Sequence, residues 1–488
     1  MVIHQETAFP SDTLICGNKG MGKSTKIKER CEWHFLRGDV CFDMLDFGRL
    51  ENAFYYFPAQ NRRLKNIHAK RIKAIHPQAV LKDSWEPQGF PTDVYFPAVS
   101  GVNRRLPDIF RPFRISFSDL SFDELLILVG GHLTDYGKSL INLAWLHIEK
   151  QKNPTLDNLT KEVVGYAKKG HALIDGDKVP IADMRIATPL IRRLNDLQQT
   201  GILCDKDDPL ALDLDKLMRD NSAIHSFTMK FLPRLEYAFL IYGWLCKRLY
   251  TLRMERHGYP ELCMFFREIQ MIAPASPSFD GQHISTKYLR MLSSEGRDLQ
   301  IRMFYDTQKP MKVHKEIREI PQVYHMFQLD RNDIEAFGKI FYIPDSVATA
   351  TTRYKIGFCT TRNAMDVYKI NANIIYAPPR SWCKEPEDDF IQLWKKRKLP
   401  LTTFKFTRPK GVMTIKQIEV KDEIPDEFVC AAGGQIKKVL NKIGRQMNAL
   451  ELRDYVDCDE KYLYTVLKKL IKRGEVVKTN NKYSLPTN

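Results

Sequence analysis

The stretch Leu14-Ile-Cys-Gly17-Asn-Lys-Gly20-Met-Gly22-Lys23-Ser24-Thr25 decides the reading of this chain. An apolar run leads straight into G-x-x-x-x-G-K-S, and the residues that follow have a helical pattern. Glycines at this spacing let the backbone curl until its N–H groups face a phosphate, and the helix N-terminus adds its positive dipole end. Lys23 is placed to reach β- and γ-phosphates, and the Ser24 hydroxyl to sit on Mg²⁺. Gly17, Asn18, Lys19, Gly20, Met21, Gly22, Lys23, Ser24 and Thr25 are therefore expected to hold a nucleoside triphosphate. A chance glycine-rich turn would lack the strand before the loop and the helix after it.

Outward from this loop, Thr13–Cys16 reads as the preceding strand, Lys23–Arg37 as the helix and Val40–Asp46 as a second buried strand. Short apolar runs alternating with helical segments are what a parallel α/β sheet requires. Residues 52–222 read as an insertion, basic at first and then helical. Arg62, Arg63, Lys65, Lys70, Arg71, Lys73 and Lys82 occur before any acidic residue at Asp83, which suits a phosphate-facing surface. Ser121 and Glu124 have capping-box spacing ahead of apolar faces at Leu125–Val129 and Leu140–Ile148. The α/β pattern then resumes: a strand within Ala223–Leu232, a helix over Arg234–Arg256, and strands at Leu262–Phe266, Ile301–Tyr305 and Val323–Gln328. Tyr354–Tyr376 reads as an antiparallel hairpin. The expected domains are a core over 1–380, a Pro-rich and basic linker or strap over 381–432, and a small domain over 433–488.

The 488 residues carry a formal charge of +16, which points to a polyanion and best to nucleic acid. The ten cysteines are scattered, without C-x-x-C pairs or zinc spacing, and read as buried residues of a reducing compartment. No signal-peptide apolar region opens the chain. The most apolar helical stretch, Leu235–Tyr250, is broken by Lys247 and Arg248 and falls short of a membrane span. A soluble, cytoplasmic protein without a membrane anchor in this chain is expected.

Hydrolysis beside a P-loop needs a metal, a base that polarises water and a sensor of the γ-phosphate. The strand Leu262–Phe266 runs into Arg267-Glu268, so Glu268 is the candidate base. An arginine stands where a metal-side aspartate is expected, and Asp43 or Asp46 is a candidate to compensate. Mg²⁺ keeps much of its water and can be held by Ser24 and phosphate oxygens. Gln308, at the end of the next strand, can bond both the γ-phosphate and the water. Arg297 is a candidate for stabilising transition-state charge, in cis or across a subunit interface.

The C-terminal 56 residues from Gly433 hold twelve Lys and Arg against six Asp and Glu. Three helical segments, Ile436–Ile443, Asn448–Val456 and Lys461–Lys472, precede two short strands around Asn480-Asn481. That is the order of a winged helix-turn-helix. Lys461, Tyr464, Thr465, Lys468, Lys469 and Lys472 on its third helix are the candidate DNA contacts.

The order of these parts, with Ser294-Glu-Gly-Arg297 leading into a strand that ends Asp306-Thr307-Gln308-Lys309-Pro310, resembles the FtsK/HerA superfamily of DNA-pumping P-loop ATPases. The resemblance covers roughly residues 10–380. It implies a RecA-like core, ATP and Mg²⁺ as cofactors, a homo-oligomeric ring (a hexamer), double-stranded DNA as partner, and sensor and trans-acting roles for Gln308 and Arg297. A nuclease, capsid or transfer partner is compatible with it. The chain departs from the pattern at Arg267. The expected function is an ATP-driven DNA translocase. The alternative is an ATP-gated DNA-binding regulator with weak or no hydrolysis.

Overall fold

The computed structural model describes residues 12–46, 50–59, 87–99, 103–129, 133–151, 154–169, 171–174, 177–180, 184–232, 234–363, 370–374, 379–382, 389–406, 435–441, 447–453, 460–479 and 482–486. The chain divides into two compact units, Met1–Val412 and Met413–Asn488. The expected basic run of residues 62–82 lies outside the described residues, as do residues 407–434.

The first unit is mixed α/β around a ten-stranded sheet. Its strands are β1 (Thr13–Cys16), β2 (Val40–Asp46), β3 (Thr92–Pro97), β4 (Phe110–Phe113), β5 (Ile224–Thr228), β6 (Leu262–Phe266), β7 (Ile301–Thr307), β8 (Val323–Met326), β9 (Phe358–Asn363) and β10 (Ile370–Ile374). They lie side by side in the order β10-β9-β8-β1-β7-β6-β2-β5-β3-β4. From β8 to β4 every neighbour is parallel, while β9 and β10 run antiparallel at one edge. The strand that feeds the loop thus lies between β7 and β8, with Cys16 opposite both Thr307 and Met326.

Parallel strands covered on both faces need apolar side chains throughout, and all five residues of β6 are buried. Helix α1 (Lys23–Arg37) follows the loop and ends at Gly38, whose φ of +92° lets the chain close the helix with Gly38 N–H on the Phe35 carbonyl. The helices Leu235–Glu255 and Asp280–Glu295 cross closely because glycines stand at the contact. A Cβ on Gly243 would come 2.8 Å from Ile284, and one on Gly281 2.8 Å from Phe239. The helical insertion begins as its spacing predicts: Ser121 N–H donates to Glu124 (2.7 Å) and Glu124 N–H to Ser121 Oγ (3.3 Å), ahead of the helix Phe122–Val129.

Two regions differ from expectation. Within the segment read as insertion, β3 and β4 are strands of the main sheet, with Thr92 opposite Ile224 and Val94 opposite Phe110. Within the segment read as linker, Phe390–Lys396 is a helix and Leu401–Lys405 pairs antiparallel with Asn103–Pro107. The cause is aromatic burial. Trp382, Phe390, Trp394 and Phe406 share one core with Phe54, Phe57, Phe96 and Phe110. Polar closure adds to it: Glu32 of α1 accepts the N–H groups of Arg380 (2.6 Å) and Ser381 (3.1 Å).

In the second unit, helical residues 435–441, the helices Ala449–Arg453 and Glu460–Lys472, and a hairpin of Val477–Thr479 with Lys482–Ser484 surround a single core. Ile436, Leu440, Leu452, Leu463, Val466, Leu467, Leu470 and Tyr483 form that core. Met447 exchanges both backbone hydrogen bonds with Tyr483 (3.1 and 2.7 Å), tying the chain between the first two helical segments to the hairpin. The seven described cysteines are buried and free. No helix among the described residues is long and apolar enough to cross a membrane.

Candidate functional site

Open parallel sheets gather ligands beyond the carboxyl ends of their strands, and the loop Gly17–Thr25 emerges there from β1. It is pinned on both sides: Gly17 N–H donates to Thr307 O (3.2 Å) and Asn18 N–H to Gln328 O (2.7 Å). Gly17 (φ +154°) has no room for a side chain, since a Cβ would stand 2.6 Å from that of Phe327. Gly20 and Gly22 adopt φ of +79° and +112°, which L side chains rarely take. Lys23 is buried and folds back to donate to the Asn18 carbonyl at 3.1 Å, so its ammonium stands over the loop. Helix α1 has no side-chain cap and no acidic residue in its first turn. Its leading N–H groups and dipole end are left for an anion. Ser24 is exposed, Thr25 half-buried, and Lys19 and Gly20 exposed.

Glu268 lies just past β6 in a left-handed backbone conformation, φ +51°, which costs free energy for a non-glycine residue and is retained where surroundings enforce it. Two amides hold its carboxylate: Gln308 donates to Oε1 and Gln270 to Oε2 (2.5 Å). Gln270 in turn accepts the Thr307 hydroxyl at 2.7 Å. Glu268, Gln308 and the loop strand are thus tied together through β7, the strand adjacent to β1. Gln270 belongs to this network although the sequence did not single it out.

Arg267 turns into the sheet. It is 7% exposed, donates to Asp43 at 3.0 Å and to the Tyr55 hydroxyl at 3.3 Å. Asp43, one of the two carboxylates expected to act beside the metal, is instead paired with Arg267. The side chain of Asp46, the other one, is outside the described residues.

Asp306 was missed by the sequence reading. It sits one residue before Thr307 in β7, 2% exposed, and its Oδ1 accepts the Glu268 N–H at 2.6 Å. Burial raises its pKa to about 7, against the pull of Lys23, with the Glu268 charge pushing the same way as burial. The donor set fits a hydrated hard cation: one hydroxyl at Ser24 and a buried carboxylate within the field of Lys23.

Arg297 is not brought to this edge. It is exposed in the turn that precedes β7, so the seven-residue strand separates it from Gln308 by roughly 20 Å. A cis role in this chain's own site is therefore excluded by distance. Of the candidate DNA contacts, all six lie on the helix Glu460–Lys472; Lys468 and Lys472 are exposed, and the side chains of Lys461, Tyr464, Thr465 and Lys469 are outside the described residues.

Solved structures similar to this chain include VirB4 of Thermoanaerobacter pseudethanolicus, at 14% identity over 75% of this chain and 90% of that one, with a TM-score of 0.47. The plasmid coupling protein TrwB, in complex with the non-hydrolysable ATP analogue ADPNP, is similar at 14% identity over 77% of this chain and 87% of that one, TM-score 0.49. The genome packaging NTPase B204 from Sulfolobus turreted icosahedral virus 2, in complex with AMPPCP, is similar at 9% identity over 75% and 100%, TM-score 0.30. No protein-family model and no curated protein matches the chain.

Proposed function

We propose that this chain is an ATP-dependent DNA-translocating motor whose nucleotide lies on Gly17–Thr25. The observation that carries the reading is Glu268, held by Gln270 and by Gln308, which directly follows the strand next to the one that feeds the phosphate loop. A water between Glu268 and the γ-phosphate would lose a proton to the carboxylate as its oxygen bonds phosphorus. The bond from phosphorus to the β,γ-bridging oxygen breaks, and ADP leaves with those electrons. Lys23 and the loop N–H groups bear on the phosphate oxygens. Ser24 would hold Mg²⁺, which when bound would supply positive charge to the phosphates. Gln308 bonds Glu268 before hydrolysis, so any shift of that amide towards the γ-phosphate changes β7 and its neighbours, which suits a sensor. Arg297, on the far side of the strand, suits a neighbouring subunit's nucleotide in a ring.

The second unit has the helix order and hairpin of a winged helix, with the helix Glu460–Lys472 as the DNA-facing element. Its net positive charge and the exposed Lys468 and Lys472 support that role. A second reading, an ATP-gated DNA-binding regulator, is favoured by one observation: an arginine occupies the metal-side position and is locked to Asp43.

Lys23→Ala and Glu268→Gln separate the two. Under the motor reading, Lys23→Ala loses nucleotide binding, whereas Glu268→Gln binds ATP as wild type does and lowers turnover by about 10²- to 10⁴-fold. Equal, negligible turnover in wild type and Glu268→Gln, with intact binding, would establish the regulator instead.

A further inference from the structure

Four carboxylates near the P-loop end of the sheet have amide or cationic partners. Asp43 is paired with Arg267, Asp330 and Asp333 with Lys309, and Glu268 is bonded by two glutamine amides. Asp306 differs. Among the described residues it makes no ion pair, is 2% exposed, and spends one oxygen on the Glu268 N–H. A carboxylate buried in the sheet without a cationic partner is costly to keep. Asp306 also lies one strand nearer the loop than Arg267 does, since β7 and not β6 adjoins β1. Ile15 of β1 is its direct neighbour across the sheet.

We infer that Asp306 has taken over the metal-side duty displaced from position 267, accepting hydrogen bonds from the waters of a nucleotide-bound Mg²⁺ while its other oxygen positions the Glu268 main chain. The inference rests on the nucleotide site proposed above and adds to it a carboxylate of this chain's own. The geometry explains why the exchange is tolerated. Arg267 is paired inside the sheet with Asp43 and bonded to the Tyr55 hydroxyl, which offsets much of its charge where an ion would lie. The carboxylate on the adjacent strand reaches the same strand end, one residue past the Phe266–Tyr305 pair, and bonds the Glu268 N–H. Asp306 is in this account a positioning residue, acting on the ion through water and on Glu268 through its N–H.

The test is the Mg²⁺ dependence of nucleotide binding, read by fluorescence of a mant-ATP probe on the full chain with Mg²⁺ or with EDTA. Asp306→Asn keeps an oxygen for the Glu268 N–H and removes only the charge. The expected result is that wild type gains affinity with Mg²⁺ and Asp306→Asn loses about 10- to 100-fold of that gain, the usual cost of removing a partner around a metal. Binding in EDTA should be unchanged or tighter, because a negative charge near the phosphates has gone. Thermal melting of both proteins shows whether the variant folds; should it not, Asp306→Ser, smaller and still an acceptor, carries the same prediction. A full Mg²⁺ gain in either folded variant overturns the inference and leaves Asp306 a structural acceptor. A wild type that binds no mant-ATP under either condition, and is indistinguishable from Lys23→Ala, refutes the nucleotide site itself.

Discussion

The ends of β6 and β7 lie side by side and treat their charges in opposite ways. Past β6, Arg267 is buried against Asp43, so a cation and an anion cancel inside the sheet. In β7, Asp306 is as deeply buried, makes no ion pair among the described residues and accepts one backbone N–H, while Lys23 and Arg267 act on it through their charges alone. A buried ion pair is a structural device whose loss is felt throughout the fold. A carboxyl whose pKa burial raises to about 7, with no ion pair among the described residues, is one that a nearby cation would draw into its charged form. Arg267 is thus part of the architecture of the sheet, paired with Asp43.

This contrast can be broken most severely at the pair. Arg267→Met strands Asp43 in the sheet, and the first unit should lose about 3–5 kcal/mol in urea unfolding, the usual cost of orphaning one member of a buried pair. Adding Asp43→Leu should restore most of it. A loss under about 1 kcal/mol in the single variant would show that the pair does not hold the sheet together.

Glu32 sharpens the contrast with a third kind of buried carboxylate, one satisfied by the Arg380 and Ser381 N–H groups. Burial still raises its pKa from 4.5 to about 7, over the opposing effect of Lys28. A folded-state pKa above the unfolded one means stability that is complete below pH 4.5 and falls as pH rises towards 7. The share of Glu32 is on the order of 3 kcal/mol by the shift. Glu32→Gln should remove that share of the slope in unfolding measured across this range. Asp12 and Asp306, raised to about 6 and about 7, retain theirs. An unchanged slope would show that Glu32 titrates normally in the fold.

What the sequence made legible follows where information is local. Thr13–Cys16, Lys23–Arg37 and Val40–Asp46 have the expected bounds, because Gly22 and Gly38 punctuate the helix and the strands are short apolar runs. The loop, Glu268 and Gln308 were visible for the same reason: each stands at the end of a recognisable strand. β3 and β4 were not visible. They fall in the stretch read as an insertion, and the position of β4 at the sheet edge, where a missing N–H is tolerated, makes room for Pro112. The aromatic residues Trp382, Phe390 and Trp394 looked like linker because their partners at Phe54, Phe57 and Phe110 are far along the chain. Asp306 was in plain view within Ile301–Thr307, but its meaning depends on Arg267 being occupied elsewhere, which no local pattern encodes.

The central claim, movement along DNA driven by this site, is tested most directly by displacement of a third strand annealed to a long duplex. The account predicts that the full chain displaces it with ATP and Mg²⁺, that duplex DNA raises its ATP turnover, and that Lys23→Ala and Glu268→Gln do neither. ATP turnover indifferent to DNA, or DNA bound tightly with the third strand left in place, would contradict the motor and leave a nucleotide-gated DNA-binding protein.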